Sequence, residues 1–389
     1  MSGVGIIAEF NPLHKGHEYL ISEAKKQGTV VCVISGNFVQ RGDTAIAEKR
    51  VRASAALKAG ADVVLELPVL WSMSTAQNFC LGGVSALKFA GCDKIMFGSE
   101  CADIEELKKA ANIITSTKFA ELVAEKMKTG ITFAAARQSA AEELGVKAGL
   151  LEGANNNLGL EYIVAAKNLN YNVEFETVKR IGAAHDSFAE AEFVSASLLR
   201  EKIKQNDYDF CKKYMSEDIV SLFSPENISD IKNIETAILA ILRTKSQNDL
   251  KNLPDLSEGV ENKLFCGIGL ATNLNELYNT VKVKRYTLAR IRRLVLSAFL
   301  NFDNSYFLKP LPYIRVLGFS KQGEKYIKNN FKDCPVPIIN RTADVEKLDA
   351  KSKKVFETEA KATDLYLLSL SKPQKSGLEY TSKIIKTEC

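Results

Sequence analysis

The sequence predicts an α/β fold in which a doubly wound, mostly parallel sheet with helices on both faces is followed by a mostly helical C-terminal domain. Short runs rich in β-branched residues alternate with helical patterns over the first half of the chain, and several of these runs are apolar at every position. Strands of this kind are typical of a parallel sheet that helices cover on each side. Beyond about residue 205 the pattern changes to helices separated by polar breaks. We therefore expect two domains, at residues 1–205 and 206–389.

Each predicted element of the first domain follows from a local pattern. The strand segments are rich in Val, Ile and Phe, which suit a pleated and buried surface. The segments between them carry apolar residues at helical spacing. Strands are predicted at residues 4–10, 29–35, 62–68, 93–99 and 172–180, and helices at residues 17–26, 47–59 and 195–203.

The second domain is predicted from helical patterns such as "NIETAILAILRT" and "SEGVENKLFCGIG". Two runs near the C-terminus, "PYIRVLGFS" (312–320) and "VPIINRT" (336–342), have the character of strands. We therefore expect this domain to carry a small α/β element of its own.

The composition is that of an ordinary globular protein, with 389 residues, 46% hydrophobic and 25% charged residues and a net charge of +5. No apolar run approaches the roughly 18 to 20 residues that span a membrane, and the N-terminus has neither a basic region nor a small-residue cleavage site. We expect a cytoplasmic protein with no membrane partner. The eight cysteines are scattered without a CxxC pair, so neither a zinc site nor a disulfide framework is predicted.

The stretch "EFNPLHKGHEYL" holds two of the three histidines of the chain, His14 and His17, around Gly16. A strand, a tight Asn-Pro turn and a helix would place both imidazoles beside a helix N-terminus. Unpaired backbone N–H groups and the helix dipole favour an anion there, and the imidazoles can donate hydrogen bonds to phosphate oxygens. Chance cap and surface histidines are the alternative, but the whole strand, turn and helix context favours a phosphate site.

The loop "SGNFVQRGDTAI" (35–46) follows a predicted parallel strand. Its Gly36, Gln40, Arg41 and Gly42 suit a loop that closes over a small anionic substrate or pyrophosphate, although arginine and glycine are also ordinary in surface loops. Glu66, inside the next apolar strand, would be costly to bury alone. We expect it to bond a neighbouring basic group or the backbone in a structural role.

Further candidates lie where predicted strands end. Gly98 in "FGSE" is at such an edge, where α/β sheets bind ligands, although a turn glycine is the plain alternative. Asn155 and Asn156 precede a helix and could simply cap it. Arg180 ends a strand, and for His185, five residues later, a site role and a loop role remain equally open.

Ser195, Ser197 and Arg200 begin the next predicted helix. Their hydroxyl groups and the helix N-terminus offer a second phosphate cradle opposite the first. The plain alternative is an N-cap and a surface arginine.

These motifs resemble a known family. His14-x-Gly16-His17 is similar to the HIGH motif of the nucleotidyltransferase superfamily, whose members bind ATP on a Rossmann-like sheet and cleave it between the α- and β-phosphates. The blocks "GIIAEFNPLHKGHEYLI", "SGNFVQRGDTAI", "ADVVLELP", "NNNLGLEY", "VKRIGAAHDS" and "SASLLR", in that order, resemble the bacterial tRNA(Met) cytidine acetate ligase family. The resemblance is strong over residues 4–203 and looser in "KRYTLARIRR" and "YIRVLGFS".

The resemblance implies a set of site residues. It implies phosphate-facing and catalytic roles for His14, His17, Arg41, Ser197 and Arg200, and nucleotide contacts from Gly98, from Asn155 or Asn156, and from Arg180. It also implies that one continuous segment wraps the nucleotide, made of Ile6, Ile7, Ala8, Glu9, Phe10, Asn11, Pro12, Leu13, His14, Lys15, Gly16, His17, Glu18 and Tyr19. Two departures, alanine in "IGAAHDS" where the family often has glycine and Ala154 where proline is common, affect loop shape more than chemistry.

The implied reaction is an ATP-dependent ligation. Acetate attacks the α-phosphate of ATP to give acetyl-adenylate and pyrophosphate, with Mg²⁺ accompanying the triphosphate. The N4 amine of a cytidine at the anticodon wobble position of elongator tRNA(Met) then takes the acetyl group and releases AMP. A small-molecule nucleotidyltransferase or acyl-adenylate ligase of the same superfamily, and a non-catalytic RNA-binding protein, remain alternatives.

The segment "KVKRYTLARIRR" (282–293) provides the expected RNA contact. Tyr286 is interleaved with its basic residues, and Arg315 follows nearby in the sequence. This arrangement fits a grip on an RNA backbone, although a solvated helix face is the ordinary alternative. The basic residues are Lys282, Lys284, Arg285, Arg290, Arg292 and Arg293.

Overall fold

The computed structural model describes residues 2–180, 194–256, 259–283, 286–307 and 309–387. Each strand predicted in the first half of the chain is present within two residues of its expected position, which confirms the alternation of strands and helices, and the short strands β3 and β4 were not predicted. The strands are β1 Gly3–Ala8, β2 Thr29–Ser35, β3 Phe38–Val39, β4 Asp43–Thr44, β5 Val63–Leu67, β6 Lys94–Ser99, β7 Glu174–Lys179, β8 Ile314–Ser320, β9 Ile338–Ile339 and β10 Ile385–Thr387.

Helices fill most of the remaining chain, with short 3-10 turns between some of them. The helices of the first half are α1 Lys15–Lys25, α2 Lys49–Lys58, α3 Val69–Ser72, α4 Ala76–Phe89, α5 Ile104–Ile114, α6 Thr117–Lys128, α7 Phe133–Glu143, α8 Ala154–Asn168 and α9 Ala196–Lys204. Those of the second half are α10 Tyr208–Lys212, α11 Glu217–Val220, α12 Glu235–Arg243, α13 Gln247–Leu250, α14 Val260–Leu270, α15 Leu274–Val281, α16 Leu288–Phe299, α17 Lys321–Asn330, α18 Ala350–Leu367 and α19 Leu378–Thr381.

The main sheet has the strand order β10-β8-β5-β2-β1-β6-β7, with β9 paired to β8. Strands β5, β2, β1, β6 and β7 run parallel to one another, and β8 runs antiparallel to β5. The chain winds from β1 outward to β5 and then returns to place β6 on the other side of β1. This reversal makes a topological switch point between β1 and β6, where open α/β sheets bind ligands.

Strand β2 shows why the central strands are apolar at every position. Val31 and Val33 pack on one face of the sheet with α4 and α8. The alternate residues Val30, Cys32 and Ile34 pack on the other face with α1, α2 and α9. Because successive side chains of a strand point to opposite faces, a strand covered on both sides requires continuous apolar sequence.

We expected the strands near the C-terminus to form a separate small α/β element, and this prediction is wrong. Strand β8 joins the main sheet, with Val63 opposite Phe319 and Val64 opposite Gly318. The apolar strand β5 would otherwise present an unpaired edge, and β8 covers it. The sheet is therefore built from both sides of the expected boundary at residue 205, and the division into two domains stays a prediction.

The helices from α12 to α16 form a bundle around their own apolar core. That core also contains Phe38, Val69 and Met73 from the first half of the chain and Tyr366 from α18. The bundle thus packs directly against the loop that follows β2. Among the described residues, no helix combines the length and the apolar character that a membrane span requires.

Glu66 of β5 is fully buried and pairs with Lys49 of α2 and with Arg315 of β8, which confirms the predicted structural pairing. Lys49 Nζ also lies 2.8 Å from Glu359 Oε1 and 2.7 Å from Glu379 Oε1. This buried ion cluster joins β5, α2 and β8 to the C-terminal helices α18 and α19.

Candidate functional site

The candidate site lies at the carboxyl edge of the sheet, around the switch point between β1 and β6. The turn after β1, the end of β6 and the end of β7 meet there, together with the N-termini of α1, α8 and α9. Of the predicted site residues, His14, His17, Gly98, Asn155 and Arg180 are brought together around this edge.

His14 and His17 form a reciprocal cap at the start of α1. His14 Nδ1 accepts a hydrogen bond from the Gly16 N–H at 3.1 Å, and His17 Nδ1 accepts one from the His14 N–H at 3.4 Å. The two ring centroids are 3.9 Å apart. Because both Nδ1 atoms act as acceptors, a neutral imidazole at either position carries its proton on Nε2. Each ring therefore offers one Nε2–H donor to a ligand.

The surroundings keep both imidazoles neutral. Burial, together with the positive charge of Arg180, lowers the pKa of His14 to about 4. Burial also lowers the pKa of His17 well below its ordinary value, with His14 and Arg180 acting in the same direction. At neutral pH the pair supplies hydrogen bonds rather than positive charge, and the charge at this edge comes from arginine.

We expected unpaired backbone N–H groups at the start of α1, and this prediction is wrong. The Lys15 N–H donates to Tyr214 O at 2.8 Å, and the His17 N–H donates to His14 O at 2.7 Å. The Gly16 N–H is taken by the His14 ring. The first turn of α1 is thus satisfied internally, so the groups left to donate hydrogen bonds at this edge are the imidazoles and the neighbouring guanidinium groups.

Some side chains of the segment from Ile6 to Tyr19 pack in the hydrophobic core, and others line the candidate site. Ile6, Phe10 and Leu13 are each 1% exposed and pack in the core, so only their backbone can meet a ligand. Phe10 has a left-handed backbone with φ 45, and its ring stands edge-on to His17 with centroids 5.1 Å apart. A left-handed conformation at an aromatic residue is rare, and here it sets the direction in which the turn enters α1.

Arg180 lies across the end of β6. A β-carbon on Gly98 would come 2.9 Å from Arg180 Cγ, so the glycine makes room for the arginine stem. Arg180 Nη1 donates to Asn155 Oδ1 at 2.8 Å, and the Asn155 side chain donates to Glu100 at 2.6 Å. Asn155, Arg180 and Glu100 therefore form one polar network at the mouth of the site.

Asn156 has a different position. It is 4% exposed, its Oδ1 accepts from the N–H groups of Glu100 and Cys101, and its Nδ2 donates to Leu150 O. Its polar atoms are occupied by backbone, whereas Asn155 remains partly accessible. Glu100, which sequence reasoning missed, binds the N–H groups of both Asn155 and Asn156 at the start of α8.

The N-terminus of α9 is attached to the same turn. Ser195 caps this helix, and Ser197 Oγ accepts from Arg200 Nη2 at 3.0 Å. Arg200 Nη1 donates to Asn11 O at 2.8 Å. Arg200 is thus fixed beside the turn after β1 rather than free at the surface.

The loop of residues 36–44 approaches from the β2 side. The Gln40 N–H donates to Glu9 Oε1 at 2.9 Å, and Arg41 is exposed. Burial raises the pKa of Glu9, against the opposing effects of its hydrogen bond to Gln40 and of the charges of Arg200, Arg41 and Arg52. Arg41 and Arg200 therefore lie near Glu9, whereas Arg180 lies near the two histidines.

Arg52 is a supporting residue that the sequence analysis missed. It is 1% exposed, and it donates to the carbonyl oxygens of Glu9 at 2.7 Å and Ala47 at 2.9 Å and to that of Gly36. It thereby joins the turn after β1 to the loop after β2. The available signal was an arginine on the predicted inner side of an alanine-rich helix.

The predicted RNA grip is corrected in part. Arg293 is 9% exposed and binds Gln40 O and Asp255, Arg290 binds Asp255, and Arg315 is buried against Glu66 and Glu379. These three arginines serve contacts within the protein. Lys284, Arg285 and His185 lie outside the described residues.

Within the described ranges, one group of three acidic side chains is close enough to share a cation, namely Glu66, Glu359 and Glu379. The Lys49 ammonium group lies among them and already supplies the positive charge. These residues do not fit a magnesium site at the nucleotide edge.

Comparisons with known proteins agree with one another. A family model described as HIGH Nucleotidyl Transferase matches residues 1–380. A Caldanaerobacter subterraneus subsp. tengcongensis protein named tRNA(Met) cytidine acetate ligase is 37% identical over 408 residues, which cover 99% of this chain and 100% of that protein. A Clostridium perfringens protein of the same name is 34% identical over 388 residues, covering 94% of this chain and 95% of that protein. The crystal structure of Thermotoga maritima TmcAL bound with alpha-thio ATP has a TM-score of 0.89 and 28% identity, with 100% of both chains covered.

Proposed function

The chain belongs to the HIGH nucleotidyl transferase family, and we propose that it is an ATP-dependent ligase that forms N4-acetylcytidine at the anticodon wobble position of elongator tRNA(Met). The substrates are acetate, ATP and tRNA. The activation step releases pyrophosphate, and the transfer of the acetyl group to tRNA releases AMP. The observation that carries the proposal is the pair of Nε2–H donors of His14 and His17 beside Arg180 at the switch point of the sheet.

In the first step, a carboxylate oxygen of acetate attacks the α-phosphorus of ATP, and the bond to the β-phosphate oxygen breaks. No protein nucleophile is required, so the residues act by positioning and by neutralising charge. His14 and His17 donate to phosphate oxygens, and Arg41 and Arg200 offset the negative charge that develops on the leaving pyrophosphate. Ser197 orients the Arg200 guanidinium group through its hydroxyl.

In the second step, the N4 amine of the cytidine attacks the acetyl carbon, loses a proton and displaces AMP. The reacting base must leave the stacked anticodon loop to reach this edge. Because the amine is a weak nucleophile, the reactivity comes from the mixed anhydride made in the first step.

We propose Asn155 rather than Asn156 as the nucleotide contact, together with Arg180 and the backbone at Gly98. The Asn155 side chain is partly accessible and already bonded to Arg180, whereas the polar atoms of Asn156 bind backbone. Magnesium, in this proposal, is held by triphosphate oxygens and water, as is common for Mg²⁺ with nucleotides.

The proposal is tested by pyrophosphate release from purified protein with ATP, with ATP and acetate, and with ATP, acetate and tRNA. We expect acetate-dependent exchange of pyrophosphate into ATP, and N4-acetylcytidine only when tRNA is added. Activity with another carboxylate and none with acetate would favour a small-molecule acyl-adenylate ligase. Binding of tRNA without any exchange would favour a non-catalytic RNA-binding protein.

A further inference from the structure

We propose that Arg293 and Asp255 of the helical bundle are positioning residues for the adenylation step. They hold the loop of residues 36–44, which carries Arg41, against the turn after β1 through the peptide of Gln40. This inference rests on the proposed function and adds that the bundle takes part in the first chemical step. A bundle that served only RNA binding would have no such role.

The Gln40 peptide is held from two sides. Its N–H donates to Glu9 Oε1 at 2.9 Å, and Glu9 directly follows β1 in the segment that leads to the HxGH turn. Its carbonyl oxygen accepts from Arg293 Nη1 at 3.1 Å, and Arg293 belongs to α16. Gln40 immediately precedes Arg41, so these two hydrogen bonds determine where the Arg41 guanidinium group can reach.

Arg293 is itself fixed by the bundle. Its Nη2 donates to Asp255 Oδ2 at 3.0 Å. Asp255 has a left-handed backbone with φ 63, and its carbonyl oxygen accepts from Arg290 Nη2 at 2.8 Å. Arg293 is 9% exposed, so its hydrogen bonds form where water competes weakly. A buried arginine that bonds a loop carbonyl on one side and a carboxylate on the other is a rigid connection.

Gly42 gives independent evidence that the loop of residues 36–44 contacts helix α16. Its φ of +72 favours glycine, and a β-carbon there would lie 2.6 Å from both Arg292 Cβ and the Arg293 nitrogen. The loop backbone therefore rests directly on the backbone of α16. Gly145 offers a matched comparison, since it has φ +91 but nothing within 4 Å of its would-be β-carbon.

The first experiment compares Arg293→Met with Arg243→Met. Arg243 is also a bundle arginine that donates to a carbonyl oxygen, that of Ala271 at 3.0 Å, but it has no bond to the loop. We expect Arg293→Met to lower kcat for acetate-dependent pyrophosphate exchange by about 10-fold to 100-fold through misplacement of the loop. KM for ATP should stay within about 2-fold, because Arg180 and the histidines are untouched. Arg293→Lys, which can reach one acceptor, should recover part of the loss, and Arg243→Met should exchange normally.

Gly42→Ala and Gly145→Ala provide a second pair that does not depend on the folding of the arginine variants. Both carry the strain of a positive φ, but only Gly42→Ala meets α16. We expect a loss of exchange in Gly42→Ala alone, and faster amide hydrogen exchange in a peptide spanning residues 38–44 in both Gly42→Ala and Arg293→Met.

The outcomes separate this inference from the proposed function. A wild-type protein without acetate-dependent exchange overturns the proposed function, and the amide exchange measurement still tests the contact with the loop. An active wild-type protein whose Arg293→Met and Gly42→Ala variants keep normal kcat, or lose no more than their controls, overturns the positioning role.

Discussion

Among single residues, His14 and His17 can each cap helix α1 and donate a hydrogen bond to a ligand at the same time. Each uses Nδ1 to complete the cap of α1 and so turns its Nε2–H towards the ligand side as the remaining donor. If the proposed function is correct, the helix cap and the phosphate contact use opposite edges of the same ring. This explains why the spacing is three residues, since a capping box joins the N-cap residue to the third residue of the helix.

We expect His14→Ala and His17→Ala each to lower the rate of acetyl-adenylate formation by about 100-fold to 1,000-fold, as for loss of one oxyanion donor. His14→Ala also removes a cap and should reduce the free energy of unfolding by about 1 kcal/mol. His14→Asn is the control, since asparagine can accept from the Gly16 N–H but carries no Nε2–H. Near-normal pyrophosphate exchange in a folded His14→Asn protein would contradict the donor role.

Lowered histidine pKa values also predict a loss of stability in mild acid. The unfolded chain binds a proton at His14 below its ordinary pKa of 6.5, whereas the folded protein does so only near its pKa of about 4. Between these values the unfolded state binds more protons, so the stability falls as pH decreases. We expect His14→Asn to relieve about 2 kcal/mol of this loss at pH 5. Urea unfolding of both proteins at pH 7 and pH 5 measures it, and equal pH dependence would show that His14 is not the group responsible.

The two adjacent asparagines should behave differently when changed. Asn155→Ala and Arg180→Ala should raise KM for ATP more than they weaken tRNA binding, because both belong to the nucleotide edge. Asn156→Ala should instead lower the free energy of unfolding by about 1–3 kcal/mol, since it removes the hydrogen bonds of the buried Asn156 side chain to the backbone of Glu100, Cys101 and Leu150. ATP titrations and thermal unfolding distinguish the two, and a reversed pattern would exchange their roles.

Among the helices and strands, the buried ion cluster holds the C-terminal helices to the sheet. Lys49 of α2 is fully buried between carboxylates of β5, α18 and α19. Burial raises the pKa of Glu359 to about 7, against the lowering effect of Lys49. A cluster of this kind is costly to break from one side, because the remaining charges lose their partner without returning to water.

Lys49→Met should therefore lower the free energy of unfolding by about 3–5 kcal/mol. Lys328→Ala is a suitable control, since Lys328 is exposed and its pair with Glu324 on α17 should contribute less than about 1 kcal/mol. Chemical denaturation of both variants gives the comparison. Similar small losses in the two proteins would mean that packing, rather than the ion cluster, holds α18 and α19.

Helix α16 illustrates how a charge pattern can have two explanations. Its arginines were predicted to grip an RNA backbone, but Arg290 and Arg293 bind Asp255, and Arg293 also binds the carbonyl oxygen of Gln40. A triple replacement of Arg290, Arg292 and Arg293 would consequently disturb the loop of residues 36–44 as well as any RNA contact. Lys282 is exposed and is the better single position at which to measure a salt-dependent RNA contact.

For the chain as a whole, the order of strands predicts that the first half does not fold alone. A fragment of residues 1–205 lacks β8, which covers β5, and lacks Glu359 and Glu379, which bind Lys49. The fragment would expose the apolar edge of β5, and Lys49 would keep only Glu66 as a partner. We expect the fragment to be aggregated or without cooperative thermal unfolding, as measured by circular dichroism. A monomeric fragment that unfolds cooperatively would support the predicted boundary at residue 205.

The sequence by itself determined the alternation of strands and helices, the HxGH turn and the order of the motifs, because these depend on periodicity and on residues close together in the chain. Even the cap of α1 is local, since His14 and His17 are three residues apart. The need of Glu66 for a polar partner was also predictable, because burying an unpaired carboxylate in an apolar strand is costly. Its partners Lys49 and Arg315 lie 17 and 249 positions away, so the sequence did not identify them.

Only the tertiary structure decided which distant residues meet. The position of β8 beside β5, the Arg293 bond to Gln40 and the burial of Arg315 all join residues more than 60 positions apart in the chain. A periodic pattern shows that a face will be covered but not which element covers it. A basic helix has the same sequence pattern whether its arginines contact phosphates or carbonyl groups, and only the fold shows that α16 packs against the loop of residues 36–44.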